Sequence, residues 1–431
     1  MVTRILLISS RLILGQLLLT VIVPLPSFGQ QKSLIIGIDG LGFGEQGFSV
    51  TDTPSLDSLI NGSFADGAYR GAYADNAFAG GIVGTPSQQT TVSGPGWSSI
   101  LAGVWIDKHN VGGNSFSAPN FRDNPTYLAT LKAARPDLKT ASFINWDPID
   151  THIISSVDTD ANPNNDMDFR ETYGSDPLVA TGAAEMLTGN GILDPDVVFV
   201  AFDEVDAAGH NCGSSGACYR REVQEVDALV GQLLSTIIDR PFFDEEDWQI
   251  VVTADHGHRS SGGHGGQSDL ERTIPFIVSS KTLNQGTLPS FPAAVAHVDV
   301  APTVLSHFEV PIPENYAGFS RAAGAASLTP DINGDGLVSG DGTGPFETDD
   351  VTAFVSLWLQ PNTIDDPNPA DLNLDGIANL ADWAILNAAD PAMGQGILNA
   401  VVDASEPSGL VLLMFGFVLP SWLRSQNRSR S

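Results

Sequence analysis

Ser33-Leu-Ile-Ile-Gly-Ile-Asp39 is a short, almost wholly apolar run that ends in aspartate. Two later stretches repeat this form, Val197-Val-Phe-Val-Ala-Phe-Asp203 and Gln249-Ile-Val-Val-Thr-Ala-Asp255. Runs of this length and composition are typical of buried β-strands. Segments with helical spacing of apolar residues lie between them, such as Thr126 to Ala134 and Arg221 to Ile238. The alternation predicts an α/β fold, with a mostly parallel central sheet and helices on both faces.

Acidic and imidazole side chains follow each of these three strands. Asp39-Gly40 ends the first, Asp206-Ala-Ala-Gly-His210 comes soon after the second, and Asp255-His256-Gly257-His258 follows the third. Open α/β sheets bind ligands at the carboxyl ends of their strands, so we expect these side chains to lie together. Two metal ions held by Asp and His can clamp the attacking and leaving oxygens of an in-line displacement. The pattern therefore predicts a two-metal phosphoryl-transfer site.

A hydroxyl nucleophile is supplied by Thr91-Val-Ser93-Gly94-Pro95-Gly96-Trp97. A serine hydroxyl is a poor nucleophile at neutral pH, and coordination to a metal is one way to activate it. We expect Gly94 to Gly96 to form a tight turn. Ser98 to Gly103 should then form a helix whose amino terminus favours an anion near Ser93. Taken alone, Ser93 is better explained as a helix cap, and it is the ordered set of motifs that carries the inference.

In this order the segments resemble the alkaline phosphatase superfamily, on the branch of type I phosphodiesterases and nucleotide pyrophosphatases, over residues 33 to 325. The resemblance implies two divalent metal ions, zinc by the nature of the ligands, with manganese as the alternative. It places one ion on Asp39, Ser93, Asp255 and His256, and the other on Asp206, His210 and a third histidine. It also assigns Asn114, twenty-one residues after Ser93, to a phosphoryl oxygen.

The third histidine of the second group has three candidates. His264 is favoured, because Gly263-His264-Gly-Gly precedes Glu271-Arg-Thr-Ile-Pro-Phe at the place where the family has its histidine. His258 is an alternative ligand, and otherwise it is a group beside the ligands or simply exposed. His297 is the other, although its surroundings favour the opening of a helix that packs on the sheet.

Two pairs of residues flank the motif that holds Asp206 and His210. Asp203 and Glu204 precede it, and we expect them to orient the metal ligands. Cys212 and Cys218 are the two cysteines of the chain, and they bracket Gly-Ser-Ser-Gly-Ala. In an oxidising compartment we expect them to form a small disulfide loop beside the metal site.

Other functions remain open at this stage. A sulfatase of the same superfamily would have arginine at the position of Trp97, so this departure argues against that activity. A phosphoglycerate mutase is disfavoured because those enzymes are mostly cytoplasmic. A catalytically silent surface or matrix protein that binds through its C-terminal module is the alternative from another class. The expected substrate is a small phosphate ester, without a choice among monoester, diester, pyrophosphate and phosphonate.

The amino terminus is typical of an exported protein. Arg4 precedes apolar residues that run to Val23, and a small-residue cleavage site follows near Ser27-Phe-Gly29. This arrangement predicts a signal peptide over residues 1–29, with an uncleaved membrane anchor as the alternative. The enzyme should therefore be periplasmic, on the cell surface or secreted.

The charge of the chain excludes some partners. It has 51 acidic and 20 basic residues, for a net charge of −31. Only 16% of the residues are charged and 42% are hydrophobic, so the chain can bury a large core. We expect no nucleic-acid binding, because phosphate backbones require basic patches.

A second module is expected over residues 328–392, after a catalytic domain at 30–327. Two Asp/Asn/Gly repeats place oxygen ligands at calcium-loop spacing, with glycine at the sharp turn. The expected calcium ligands are Asp331, Asn333, Asp335, Ser339, Asp371, Asn373, Asp375, Asn379 and Asp382. An insertion breaks the first repeat, which Asp349 or Asp350 would have to complete. The pair resembles a type I dockerin, which implies calcium and a cohesin-like partner; a turn repeat without calcium is the alternative.

The last segment, residues 393–431, contains a pattern typical of C-terminal sorting or anchoring. Ser405-Glu-Pro precedes the apolar run Gly409 to Leu419, and three arginines follow. The run is short for a membrane span, and positive residues after it suit a cytoplasmic end. The arrangement resembles a PEP-CTERM sorting signal, which implies transient membrane attachment, with a plain anchor as the alternative.

Overall fold

The computed structural model describes residues 29–43, 48–155, 167–191, 193–288, 294–324, 332, 340–360, 368, 370–372, 377–389 and 393–398. Residues 1–28 of the expected signal peptide and the whole C-terminal sorting signal lie outside the described residues. So do six of the expected calcium ligands, Asp331, Asn333, Asp335, Ser339, Asn373 and Asp375. In the described parts of the chain, no helix is both long and apolar enough to cross a bilayer.

One eight-stranded sheet forms the centre of the molecule. Its strands are β1 (Gln30–Ile38), β2 (Arg70–Phe78), β3 (Thr140–Ile144), β4 (Phe169–Thr172), β5 (Val197–Phe202), β6 (Glu246–Thr253), β7 (Thr273–Ser280) and β8 (Gly286–Thr287). They are ordered β4-β3-β5-β1-β6-β7-β2-β8. The first five in this order are parallel, whereas β7 is antiparallel to both β6 and β2. The predicted α/β fold with a mostly parallel sheet is confirmed.

The three predicted strands are neighbours at the centre of this sheet. They are β5, β1 and β6, with Ile38 paired to Phe202 and Gly37 paired to Thr253. Every residue of β5 is buried, as expected for a parallel strand covered on both faces. The three strands therefore end side by side, which places the motifs after them at one edge of the sheet.

Helices lie in two layers over the sheet. They are α1 (Pro54–Ile60), α2 (Ser93–Ala102), α3 (Ile106–His109), α4 (Tyr127–Ala134), α5 (Asp176–Leu187), α6 (Glu204–Cys212), α7 (Ala217–Ile238), α8 (Asp269–Arg272) and α9 (Val300–His307). One layer joins α1, α5, α6 and α7, and the other joins α2, α4 and α9. The two helices predicted from apolar spacing are α4 and α7, and both predictions are confirmed.

The helix after the nucleophile motif begins earlier than the sequence predicts. Helix α2 starts at Ser93 itself, so Gly94 to Gly96 form its first turn and not a separate tight turn. Proline is tolerated there because the first amides of a helix have no intrahelical acceptor. The helix ends where the sequence predicts, with Gly103 in the left-handed region at φ 65°.

The C-terminal region has its own hydrophobic cluster, around Val351, Phe354 and Leu386. Its helices are α10 (Asp350–Ser356) and α11 (Leu380–Ala389). Asp349 was expected to complete the first calcium loop, but it caps α10. Its carboxylate accepts hydrogen bonds from the amides of Asp341, Gly342, Gly344 and Thr352. These bonds position the loop before α10, and the calcium role of Asp349 or Asp350 stays a prediction.

Candidate active site

The carboxyl ends of β5, β1 and β6 hold the predicted acidic and imidazole residues. Asp39 follows β1 directly, and its amide donates to Phe202 O at the end of β5 at 2.9 Å. Gly40 has φ 71°, and a Cβ there would lie 2.8 Å from Asp206 Cα. Only glycine allows the start of α6 to approach this closely. The chain therefore brings Asp206 against the strand that delivers Asp39.

A fully buried group forms at this edge from Asp39, Asp255 and His256. His256 Nε2 lies 3.5 Å from Asp39 Oδ1 and 3.4 Å from Asp255 Oδ2. These three atoms are buried and have no hydrogen-bond partner. Three orphaned ligand atoms that face one another are what a divalent metal ion requires, because buried polar atoms are otherwise paired.

The other oxygen of each carboxylate is held by the protein. Trp97 Nε1 donates to Asp39 Oδ2 at 2.9 Å. Asp255 Oδ1 accepts from the amides of Gly40 and His256, at 3.1 and 2.9 Å. Each carboxylate is thus oriented through one oxygen while its second oxygen faces His256. One hydrogen-bonded oxygen and one unpaired oxygen on each carboxylate are typical of metal ligands that neighbouring residues orient.

The electrostatics of this group agree with a cation between its members. Burial and the charges of Asp255 and Asp206 raise the pKa of Asp39 well above its ordinary value. Burial likewise raises the pKa of Asp255 and lowers that of His256. A divalent ion between the carboxylates would favour their ionised form and so lower their pKa values. A neutral imidazole is the form that binds metals.

A second group lies beside the first and is more open. Asp206, His210, His258 and His264 have ligand atoms within 4.8 Å of one another. Asp206 Oδ2 lies 3.4 Å from His210 Nε2, whose side chain is 54% exposed. His264 Nε2 lies 2.9 Å from His210 Nε2 and 3.4 Å from Asp206 Oδ1. Asp206 is also close to Asp39 and His256, so the two groups adjoin.

Backbone carbonyls select the ligand form of two histidines. His264 Nδ1 is 2.8 Å from Thr91 O, and His256 Nδ1 is 3.2 Å from Gly257 O. A carbonyl can only accept, so Nδ1 carries the proton in both rings. Nε2 is then the free lone pair, and it faces the other members of each group. Burial also lowers the pKa of His264, which keeps the ring neutral.

The three candidates for the third histidine are separated by their contacts. His264 joins the open group in the ligand form. His258 Nε2 lies 2.6 Å from Asp206 Oδ1, at hydrogen-bond distance, so His258 donates to that carboxylate and orients it. His297 is buried against Trp105, with ring centroids 5.1 Å apart, and it opens the turn before α9 as the sequence predicts.

Ser93 and Asn114 lie together at the start of α2. The amide of Gly94 donates to Asn114 Oδ1 at 2.7 Å, which leaves the two amide hydrogens of Asn114 for a ligand. A Cβ at Gly94 would lie 2.7 Å from Gly113 O, so the close approach requires glycine. The same turn of α2 packs on the buried group, because a Cβ at Gly96 would lie 2.8 Å from Asp255 Cβ.

Three positioning residues could not be inferred from the sequence. Thr91 holds the loop of His264, since its Oγ1 accepts from Gly265 N and donates to Gly266 O. Asp176 accepts from the amides of Asp203 and Glu204 and so fixes the start of α6. Trp97, noted in the sequence only as a departure from sulfatases, orients Asp39. Thr91 stands at the start of the nucleophile motif and Asp176 in no motif, and neither role could be predicted because the partners of both residues are distant in the chain.

Asp203 and Glu204, the acids beside Asp206, are held through their backbone amides. Asp203 and Glu204 contribute backbone amides to Asp176, and no hydrogen bond of their carboxylates to a predicted ligand is found in the described structure. Burial and the charge of Asp206 raise the pKa of Asp203 to about 7. Asp203 therefore influences the site through its charge, which contributes to the raised pKa of Asp39.

Residues 33–276 match the family model for type I phosphodiesterase / nucleotide pyrophosphatase, which covers more than half of the chain. The chain belongs to the type I phosphodiesterase / nucleotide pyrophosphatase family. The match contains every predicted catalytic residue and every predicted ligand of the two transition-metal groups.

Curated relatives of this phosphodiesterase-family chain share only a short segment with it. The human GPI ethanolamine phosphate transferase 3, catalytic subunit, is 29% identical over 119 residues, which are 27% of this chain and 10% of the relative. GPI ethanolamine phosphate transferase 2 of Eremothecium gossypii is 27% identical over 141 residues, 29% of this chain and 17% of the relative. The chain thus matches less than a fifth of the length of these relatives.

Solved structures similar to this family member include two that superpose over most of its length. A candidate sulfatase from Bacteroides thetaiotaomicron VPI-5482 superposes with a TM-score of 0.51 and 16% identity, over 68% of this chain and 74% of that one. Murine ectonucleotide pyrophosphatase / phosphodiesterase 5 gives a TM-score of 0.47 and 12% identity, over 67% and 98% of the two chains. At this identity the first likeness shows a common fold and no common substrate.

Proposed function

We propose that this chain is an exported metal-dependent phosphoric ester hydrolase that acts through a phosphoseryl intermediate on Ser93. The observation that carries the proposal is the buried group of Asp39, Asp255 and His256. Each carboxylate is oriented through one oxygen, and the remaining ligand atoms face one another without a partner. The open group of Asp206, His210 and His264 adds a second set of donors beside it.

The two groups suit zinc, with manganese as the alternative. Aspartate and neutral histidine are zinc ligands, and the open group leaves room for exogenous ligands at the half-exposed His210. When bound, the two ions neutralise phosphoryl oxygens and lower the pKa of the attacking hydroxyl. Ser93 completes the buried group in this proposal, as the family pattern implies.

The steps follow from the residues at the start of α2. Ser93 Oγ forms a bond to phosphorus, the bond from phosphorus to the departing oxygen breaks, and the leaving group takes up a proton. Asn114 is fixed through Oδ1 by Gly94, so its Nδ2 can donate to a phosphoryl oxygen that becomes more negative. Water then forms the next bond to phosphorus, and Ser93 Oγ leaves and regains a proton.

A sulfatase is the nearest alternative activity. Trp97, at the position where that class has arginine, is fully buried and bonded to Asp39. An indole held there cannot replace the positive charge of that arginine. Transfer of the phosphoryl group to an alcohol is a second alternative, because the relatives named above are ethanolamine phosphate transferases.

The proposal also assigns roles to the segments on either side of the catalytic domain. Residues 1–29 direct export, and the tail at 393–431 attaches the chain transiently to the membrane. The module at 328–392 binds calcium through the loop at Asp371 and offers a surface for a cohesin-like partner. These assignments rest on the sequence patterns.

The test combines metal analysis with four assays on three substrates. Purified chain loaded with zinc or manganese is assayed on p-nitrophenyl phosphate, bis-p-nitrophenyl phosphate and p-nitrophenyl sulfate, and on the diester with added ethanolamine. The proposal expects bound metal, turnover of at least one phosphate ester and none of the sulfate. Turnover of the sulfate alone, or a metal-free chain with no turnover, contradicts it. Ethanolamine phosphate esters as the main product would show a transferase.

A further inference from the structure

The disulfide between Cys212 and Cys218 closes a short loop. This loop contacts two segments that carry proposed metal ligands, helix α6 and the turn from His258 to His264. Helix α6 ends at Cys212 and holds Asp206 and His210, and α7 begins at Ala217, the last residue of the loop before Cys218. His210 is in the last turn of α6, two residues before Cys212. The disulfide therefore fixes the end of the helix at the point where a ligand stands.

The same loop is bonded to the segment between His258 and His264. Ser214 Oγ donates to His258 O at 3.0 Å, and Ser214 N donates to Arg259 O at 3.2 Å. Ser215 Oγ donates to Ser260 O at 2.9 Å. Gly213 has φ 69°, and a Cβ there would lie 2.1 Å from Ser260 O, so the two backbones touch.

The segment reached by these bonds leads directly to His264. Arg259 N donates to Gly263 O at 3.0 Å, so the turn that receives the serine hydroxyls closes next to His264. His264 Nε2 and His210 Nε2 lie 2.9 Å apart. One short loop thus joins the helix that carries His210 to the turn that carries His264. The ring nitrogens of these two histidines are in contact.

A nine-residue helix that ends at a half-exposed ligand needs such support. The last carbonyls of a helix have no intrahelical partner, and terminal turns fray. Fraying at Cys212 would move His210 away from His264, because only two residues separate it from the helix end. The buried group has no equivalent weakness, since Asp39 and Asp255 follow central strands directly.

We propose that the Cys212–Cys218 loop is a clasp that keeps His210 and His264 together and so governs metal retention by the open group. The inference rests on the metal sites of the proposed function. The clasp acts through positioning, because both sulfurs are joined in the disulfide and the ligand atoms of the open group come from aspartate and histidine side chains. Metal held by Asp39, Asp255 and His256 does not depend on it.

Opening the clasp is a two-electron reduction. A phosphine attacks one sulfur, the sulfur–sulfur bond breaks, and water supplies the oxygen of the phosphine oxide and the two protons of the thiols. The clasp thereby makes retention of one of the two ions sensitive to the redox state of the surroundings. In an oxidising compartment the bond stays closed.

The test measures zinc release from the full chain, without any substrate. Zinc-loaded wild type and the double variant Cys212→Ala/Cys218→Ala are mixed with excess of a coloured chelator, and the release rate of each ion is followed. We expect the variant to release one ion about 10-fold faster or more, and the other at the wild-type rate, as for loss of a group that positions a ligand. Release of both ions at wild-type rates overturns the clasp.

A second pair of variants decides the matter if the double variant is poorly folded. Ser214→Ala/Ser215→Ala keeps the disulfide and removes only its side-chain bonds to the turn. Ser261→Ala in the same turn is the matched control, because its hydroxyl bonds to none of the described residues. Faster release of one ion by Ser214→Ala/Ser215→Ala, with Ser261→Ala at the wild-type rate, supports the clasp. Equal release rates in the two variants overturn it. A wild type that binds no zinc overturns the proposed function along with it.

Discussion

Trp97 Nε1 donates a hydrogen bond to Asp39 Oδ2 at 2.9 Å. Trp97 lies one helical turn after Ser93 on α2, so this bond connects the helix of the proposed nucleophile to the first proposed metal-ligand carboxylate. It also decides which oxygen of Asp39 faces His256. The indole thus has a chemical role although it is fully buried in the core.

Trp97→Phe tests that role. The change keeps most of the packing and leaves Asp39 Oδ2 buried without its donor, which should lower the free energy of unfolding by about 1–3 kcal/mol. Turnover of a phosphate ester should fall by about 10-fold or more, as for other groups that orient a metal ligand. Urea unfolding and steady-state kinetics on the same preparation provide the two values.

Trp248→Phe is the matched control for this prediction. Trp248 is equally buried, and its Nε1 donates to Glu246 Oε2 at 2.8 Å near the opposite ends of the strands. It should lose comparable stability with turnover close to wild type. If both variants lose turnover to the same extent, the effect of Trp97 is general destabilisation and the orienting role is wrong.

Thr91→Val should loosen His264. Valine has the shape of threonine but loses the bonds of Oγ1 to Gly265 N and Gly266 O, at 3.0 and 2.9 Å. Zinc affinity of the open group should weaken about 10-fold in a competition titration with a chelator. Thr91→Ser, which keeps the hydroxyl, should stay near wild type, and an equal loss in both variants would contradict the assignment.

His109 should make the fold sensitive to acid. Val111 N donates to its Nδ1, and Nε2 lies 3.0 Å from Ser99 Oγ, so the buried ring is neutral. Burial, with the nearby His297, lowers its pKa from 6.5 to about 3. The folded state therefore binds this proton less readily than the unfolded state. Its contribution to stability is complete above pH 6.5 and is lost as the pH falls toward 3.

The measurement is urea unfolding of wild type and His109→Asn at neutral pH and near pH 4.5. Asparagine keeps an acceptor for Val111 N but does not titrate. Between these pH values the wild type should lose about 2–3 kcal/mol more than the variant, from the difference between the two pKa values. Parallel pH profiles would show that His109 is not the titrating group.

The C-terminal module should gain stability from calcium. Asp371, Asn373, Asp375, Asn379 and Asp382 stand at the spacing of a calcium loop, and gathering them without a cation would be repulsive. In calorimetry of the full chain, saturating calcium should stabilise the unfolding step of this module by about 2.7 kcal/mol at 100 times the dissociation constant. Asp371→Ala should remove most of the gain. Identical scans in calcium and in chelator would leave only a turn repeat.

The centre of the fold was predictable because parallel strands are buried on both faces. Such strands read as continuous apolar runs, and β1, β5 and β6 each end in a motif with acidic residues. The antiparallel edge of β7 and β2 was not predictable, because its pairings join residues about two hundred positions apart and carry no local signal.

The candidate site was predictable only as a set of residues. Residue type and spacing select Asp39, Asp255 and His256, but they do not show which carboxylate oxygen is left unpaired. The start of α2 was missed because Gly94-Pro95-Gly96 favours a turn when read locally, whereas packing against Asp255 and Gly113 makes it helical. The capping of α10 by Asp349 was not predicted, because the sequence pattern around Asp349 was interpreted only as a calcium loop.

The claim that Ser93 becomes covalently phosphorylated is tested most directly by mass spectrometry of acid-quenched enzyme. Metal-loaded wild type and Ser93→Ala are mixed with bis-p-nitrophenyl phosphate, quenched in the first turnovers and digested. The account predicts a p-nitrophenylphosphoryl adduct on the wild-type peptide that contains Ser93, because one nitrophenolate leaves and the other nitrophenyl group stays on phosphorus. It predicts neither adduct nor turnover in the variant, with both metal groups still largely loaded. Turnover by Ser93→Ala at the wild-type rate, or an adduct on another residue, would contradict it.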